Sequence, residues 1–103
     1  MYIYNVTIKI NHNIEQEWLS WMQNIHLQEV MATGKFDSYT FSELIDHHDE
    51  EGKTFVVQYY TSEKNRYEDY IQNHAPLLRD KGFALFGNQF IAFRSVLKVI
   101  SSE

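Results

Sequence analysis

The stretch WLSWMQNIHLQEVMATGKF, Trp18 to Phe36, reads as an amphipathic helix running into a strand. At about 100° per residue, Ile14, Trp18, Trp21, Met22, Ile25 and Ala32 share one stripe, with Gln16, Ser20, Gln23, Asn24 and Gln28 opposite. Glu29 falls near the middle of that apolar stripe, and His26 falls at its edge, one turn from Met22 and beside Val30. Three residues apart, the two side chains are in reach of one another. A carboxylate on a buried stripe is costly unless it is paired or wetted. Two readings follow: Glu29 leans out through the last turn or pairs with His26, or helix and sheet part here around a polar-lined pocket.

The remaining elements follow outward from this helix. Before it, Tyr2, Tyr4, Val6, Ile8 and Ile10 alternate with Ile3, Asn5, Thr7 and Lys9, the period of a strand. Asn13 and Gln16 have the spacing of a capping box, and the helix they open is expected to run to about Thr33, with Gly34 in the left-handed position after it. Phe36 to Ile45 is a second strand, residues 46–52 a polar hairpin loop, and Thr54 to Tyr60 a third strand. Ser62 is expected to cap a second helix, with Glu63 in its first turn. Pro76 breaks that helix, leaving a short piece from Leu77 to about Lys81 that ends at Gly82. Gln89 to Ile100 completes the set as a final strand. The order β-α-β-β-α-β is the ferredoxin-like arrangement of the α+β class: a four-stranded antiparallel sheet with two helices on one face.

The other face of that sheet is also expected to be apolar. In the last strand Ile91, Phe93, Leu97 and Val99 oppose Phe90, Ala92, Val96 and Ile100; in the second, Tyr39, Phe41 and Ile45 oppose Phe36 and Leu44. A sheet with one wet face alternates cleanly. Two apolar faces and no spare helix imply a homodimer that joins through the sheet face, a dimeric α+β barrel.

On the second helix Tyr67, Tyr70, Ile71 and Leu78 share a stripe, with His74 inside it. A histidine on such a face is either a core residue bonded to a backbone carbonyl or a functional group in a gap. His26, Glu29 and His74 are therefore the candidate catalytic residues, and Trp18, Met22, Tyr67, Tyr70 and Asn5 the candidate ligand contacts. Arg94, a charge on the last strand, is expected to pair with Glu43 or Asp37. His47-His48-Asp49-Glu50-Glu51 has the composition of a metal site, but neighbours on a hairpin point apart, so it reads as a solvated turn. No metal site, no cofactor and no Ser-His-Asp, phosphate-loop or paired-His pattern is read from the chain.

Composition narrows the classes further. One domain, 1–103, is expected, with ample core material at 44% hydrophobic and 16% aromatic residues. Aromatics in excess of core needs tend to line interfaces or cavities. The net charge of −5 opposes nucleic-acid and anionic-membrane partners. With no cysteine there is neither disulfide nor thiolate chemistry. No run approaches the ~18 apolar residues of a membrane span, and MYIYNVTIKI lacks the pattern of a signal peptide, so a cytoplasmic location is expected.

The set Met1 to Val6, Trp18-Leu-Ser-Trp21-Met22, His26, Val30 through Thr33-Gly34-Lys-Phe36, His74-Ala-Pro76, Phe86-Gly87 and Ala92-Phe93-Arg94-Ser95 resembles a family of short bacterial proteins known only as a domain of unknown function. The resemblance runs almost end to end and implies a dimeric α+β barrel without an assigned activity. More distantly, the architecture is similar to antibiotic-biosynthesis-type cofactor-free monooxygenases, haem-degrading enzymes, muconolactone isomerases and EthD-like proteins, which place ligands between helices and sheet. That likeness implies roles for Asn5 and His74 if haem is the ligand, although the tryptophan of the haem-degrading pattern has no counterpart, since both tryptophans lie on the first helix.

The leading expectation is a homodimeric binding or interaction module whose helix–sheet gap holds a small, largely apolar molecule. One alternative is a cofactor-free enzyme with His26 or His74 as general base and Glu29 orienting His26, or a haem-binding protein of the same class. Another is a structural dimer that acts through a protein partner.

Overall fold

The computed structural model describes residues 1–46 and 50–103. The chain forms β1 (Tyr2–Ile10), a 3-10 turn (His12–Ile14), α1 (Glu15–Trp21), a π-helical turn (Met22–His26), α2 (Leu27–Ala32), β2 (Ser38–Glu43), β3 (Thr54–Thr61), α3 (Lys64–Asn73), α4 (Ala75–Phe86) and β4 (Phe90–Lys98). The strands make one antiparallel sheet in the order β2-β3-β1-β4. This is the expected ferredoxin-like arrangement, with each of its two helices divided into segments. Among the described residues no helix is long and apolar enough to cross a membrane.

Registry fixes which side chains meet the helices. Tyr59, Tyr4 and Val96 lie in one cross-strand row, Val57, Val6 and Arg94 in the next, and Phe55, Ile8 and Ala92 in the third. The β1 and β3 members of these rows are buried beneath the helices, and Ile10 extends the same face. Phe36 lies just before β2, where it stacks on Tyr4 and Tyr59, so it faces the helices too.

The second face departs from expectation. Tyr39 and Phe41 pack on the core side, Phe41 against Trp18, and the alternate β2 residues are Ser38, Thr40 and Ser42. The neighbouring β3 and β1 residues of that outer layer include Gln58, Tyr60, Asn5 and Thr7, with the Tyr60 hydroxyl donating to Gln58 and sharing a hydrogen bond with Thr40. Phe36, expected to oppose Tyr39 and Phe41, shares the core side with them because the strand starts later than expected: the Asp37 N–H pairs with Tyr60 O and sets the register from Ser38. Exposed apolar side chains of the outer layer concentrate on the edge strand β4, at Ile91, Phe93 and Leu97.

The helix termini also differ. Asn13 caps nothing: the Asn11 N–H is bonded to Gln89 O and the His12 N–H to Glu51 O, and the chain so pinned tightens into the 3-10 turn. Ser62 makes no cap either. Glu63, extended and just outside α3, donates its N–H to Thr61 Oγ1. The expected break near Pro76 is present, with His74 between the helices and Pro76 in the first turn of α4, where a missing N–H leaves no ladder bond unmade. Gly34 takes the left-handed conformation, φ +73°, as expected. Gly82 does not end α4, which continues to Phe86 and stops at Gly87 with φ +58°. The His47-His48-Asp49 part of the hairpin turn lies outside the described residues.

The π-helical turn is the departure that matters for the site. The backbone stays right-handed through Met22 and Leu27, but the Leu27 N–H reaches back to Met22 O, five residues rather than four. The extra residue rotates everything beyond it. Leu27 and Val30 enter the core, Val30 at 0% exposure, while Ile25 is left 46% exposed. Val30 thus occupies the inward position that uninterrupted α periodicity gives to Glu29.

Candidate functional site

Between the helices and the β1–β4 half of the sheet lies a cavity of about 60 Å³. Its floor is the sheet: Tyr4, Val6 and Ile8 of β1, Val57 and Tyr59 of β3, and Phe90, Ala92 and Arg94 of β4. Trp18, Trp21, Met22 and His26 close it from the first helix, and Tyr70, Leu78, Arg79 and Gly82 from α3 and α4. The volume admits a few waters or one end of a small molecule, below the roughly 300–1,000 Å³ of an occupied small-molecule site. A larger guest requires side chains at the rim to move.

Gly82 sets the shape of one wall. A Cβ there lies 3.2 Å from Trp21 Cη2, so the absent side chain lets the indole lie against α4. Trp21 also packs edge-on against Phe86, ring centres 5.6 Å apart, and stacks on His26 at 4.8 Å. Burial lowers the His26 pKa to about 4; the charge of Arg94 adds to that effect and Glu29 partly opposes it. The imidazole is therefore neutral at neutral pH. Its nitrogens have no protein hydrogen-bond partner among the described residues.

Two tyrosines of the wall, Tyr59 and Tyr70, are held protonated. Burial raises Tyr70, with Tyr4 adding and Arg79 and Arg94 opposing, and raises Tyr59 well above the ordinary phenol value, with Tyr70, Tyr4 and Tyr39 adding and Arg94 opposing. The Tyr4 hydroxyl accepts a hydrogen bond from Arg79 Nη2 at 3.0 Å. Arg94 has neither of its expected partners: Asp37 pairs with Arg66 at 2.9 Å, and Glu43 lies 4.0 Å from Lys53. Among the described residues the Arg94 guanidinium has no hydrogen-bond or ion-pair partner.

The structure brings His26, Trp18, Met22 and Tyr70 together on the cavity and leaves the other sequence candidates outside it. Glu29 is turned out by the π turn and pairs with Lys81 Nζ at 2.6 Å, so it does not orient His26. His74 stacks on Tyr70 beyond the cavity wall, with Nε2 3.9 Å from an Asp69 carboxylate that Lys35 already holds at 2.7 Å. Tyr67 packs on Tyr4 behind the wall. Asn5 lies on the outer face of the sheet, bonded to Thr7 Oγ1 at 3.3 Å. Asn5 and His74 stand on opposite sides of the sheet, so they do not form the pair that the likeness to haem-degrading enzymes implies. Trp21, Arg79 and Arg94 are not among the sequence candidates, although the parity of Arg94 with Phe90 and Ala92 carries the signal for it. Among the described residues no cluster of three or more His, Cys, Asp or Glu is arranged to hold a metal.

Three solved structures share this fold at low sequence identity. A dimeric ferredoxin-like protein from an uncultured marine organism superposes with a TM-score of 0.71 at 10% identity, over 99% of this chain and 97% of that one. An ethyl tert-butyl ether D (EthD) family protein from Bacillus halodurans gives 0.68 at 7% identity, over 97% and 100%. A mutant form of SnoaB, a cofactor-independent oxygenase from Streptomyces nogalater, gives 0.67 at 8%, over 98% and 95%. At such identities the likeness concerns the fold alone. No functionally curated protein matches the sequence. The profile of the family described as Domain of unknown function (DUF4286) matches residues 1–100, and the chain belongs to that family.

Proposed function

We propose that the protein is a homodimeric small-molecule-binding module, with a largely apolar guest held between the helices and the β1–β4 half of the sheet. The observation that carries this reading is the cavity itself: aromatic and aliphatic walls with a few convergent polar groups, among them a neutral histidine. A domain of this size with a purely structural role has little reason to leave such a hollow, since a void forfeits packing contacts. Dimerisation through the sheet is supported by Phe93 and Leu97, 63% and 44% exposed on an unpaired strand edge. The neighbour described as a dimeric ferredoxin-like protein supports it too. Protein-observed NMR with one- and two-ring aromatic compounds tests the binding reading. The expected result is selective movement of the Trp18 and Trp21 indole resonances; movement confined to exposed β4 residues contradicts it.

His26 favours a second reading, cofactor-independent oxygenation, the activity that the description of SnoaB names. A neutral imidazole on an apolar cavity is ready to accept a proton, although a pKa of about 4 makes it a weak base at neutral pH. Oxygen uptake with a panel of phenols and enolisable ketones, abolished in His26→Ala, supports that reading; no uptake with any of them opposes it.

A further inference from the structure

The cavity has an electrostatic bias that an apolar guest does not call for. The chain carries a net charge of −5, yet among the described residues no Asp or Glu lines the cavity, and its two permanently charged residues, Arg79 and Arg94, are both cations. Several cations elsewhere are neutralised: Arg66 by Asp37, Lys35 by Asp69, Lys81 by Glu29. Arg79 meets only the phenol of Tyr4, and Arg94 meets no partner among the described residues. The two come to the same wall from different layers. Arg79 descends from α4 onto Tyr4, while the β1–β4 register sets Arg94 opposite Val6, the next inward residue of β1 after Tyr4.

An oxyanion lying near these guanidiniums makes charge-assisted, fork-shaped hydrogen bonds that the protein alone leaves unmade. The rest of the lining is largely aromatic and aliphatic, with Trp18, Trp21 and Leu78 among its surfaces. His26 adds no charge of its own, because burial keeps it neutral, with Glu29 partly opposing and the field of Arg94 assisting.

We infer that the cavity takes a flat aromatic molecule bearing a carboxylate, its acid group held by Arg94 and Arg79 and its rings against Trp21 and Leu78. The inference deepens the binding reading above and rests on it. Three features separate this ligand class from a neutral apolar one: among the described residues the lining has no acidic group, Arg94 has no partner, and Arg79 is bonded only to the Tyr4 hydroxyl.

The test compares 2-naphthoate with 2-naphthamide, near-isosteres that differ in charge, using the intact protein and NMR titration of the tryptophan indoles. Binding of 2-naphthoate at least tenfold tighter than 2-naphthamide is expected. Arg94→Gln is expected to weaken 2-naphthoate at least fivefold and leave 2-naphthamide within twofold, with Arg94→Lys restoring part of the loss. Arg79→Gln is expected to act in the same direction. Because both arginines are exposed, these variants retain the fold, which circular dichroism checks. Equal affinity for the two compounds, or an equal effect of Arg94→Gln on both, overturns the carboxylate inference and leaves the cavity reading standing. Failure of both compounds to move either indole at millimolar concentration overturns the two together.

Discussion

The imidazole of His26 stacks on the indole of Trp21, ring centres 4.8 Å apart and planes 26° from parallel, although five residues separate them on one helix. At roughly 100° per residue, five α-helical steps leave two side chains about 140° apart. The stack therefore depends on the π-helical turn between them. The same turn brings His26 to the cavity and sends Glu29 outward. Single π turns are often found at functional sites, and here one inserted residue changes which polar group faces the gap.

That rotation has a direct stability consequence. Val30→Ala and Leu27→Ala, both fully buried, are expected to cost about 2–4 kcal/mol each. Ile25→Ala, at a half-exposed position, is expected to cost under about 1 kcal/mol. Urea unfolding of the three variants checks the order. A larger loss at Ile25 than at Val30 contradicts the π-shifted register.

Much of this architecture is legible in the sequence, and the reasons differ from place to place. Tyr4, Val6, Ile8 and Ile10 of β1 form a buried row because alternation is a property of the strand backbone itself. Pro76 and Gly34 punctuate as expected, since each acts through its own dihedral limits. The inward turn of Val30 is not legible: composition carries no mark of one extra residue in a helical turn, and every assignment beyond it slips. Glu29 accordingly reads as a site residue and proves to be a surface ion pair with Lys81. Arg94 is missed for another reason. A charge on an edge strand invites a search for a salt bridge, whereas its side of the strand, shared with Ala92, points to the cavity.

Stability should depend on pH through His26. Its folded pKa of about 4 lies below the ordinary value of 6.5. Above about pH 6.5 the imidazole is neutral in both states and folding carries no penalty from it; as pH falls toward 4 the unfolded chain takes up a proton that the folded site refuses. Stability is expected to fall through that window by on the order of 3 kcal/mol in all. His26→Gln should flatten the slope between pH 6.5 and 4 in denaturant titrations. An unchanged slope in the variant contradicts a neutral, desolvated imidazole.

Gly82 makes a second structural claim testable. A methyl group at this position meets the Trp21 ring at 3.2 Å, closer than ordinary contact, so Gly82→Ala is expected to displace the indole. Gly82→Val should displace it further. The expected signs are a shifted tryptophan emission maximum and weaker binding of two-ring aromatics, with the helical circular-dichroism signal retained. Unaltered emission and unaltered binding in both variants contradict the placement of Trp21 as a cavity wall.

For the dimer, Phe93→Glu and Leu97→Glu place charges on the exposed outer side of β4. A charge cannot be buried unpaired in an apolar interface without a large penalty. Sedimentation at micromolar concentration is expected to show a dimer for the unaltered protein and a monomer for the double variant. A monomeric unaltered protein, or a dimer indifferent to both substitutions, contradicts association through this face.

The most direct measurement is a crystal structure of the protein grown with 2-naphthol, a neutral two-ring probe that needs no arginine. Ring density between Trp21, Leu78 and Ala92, with the Trp21 indole moved aside to widen the hollow, is the expected result. Naphthol bound only on outer surfaces, above a helix–sheet gap still closed at its original size, contradicts the central claim that this gap receives a ligand.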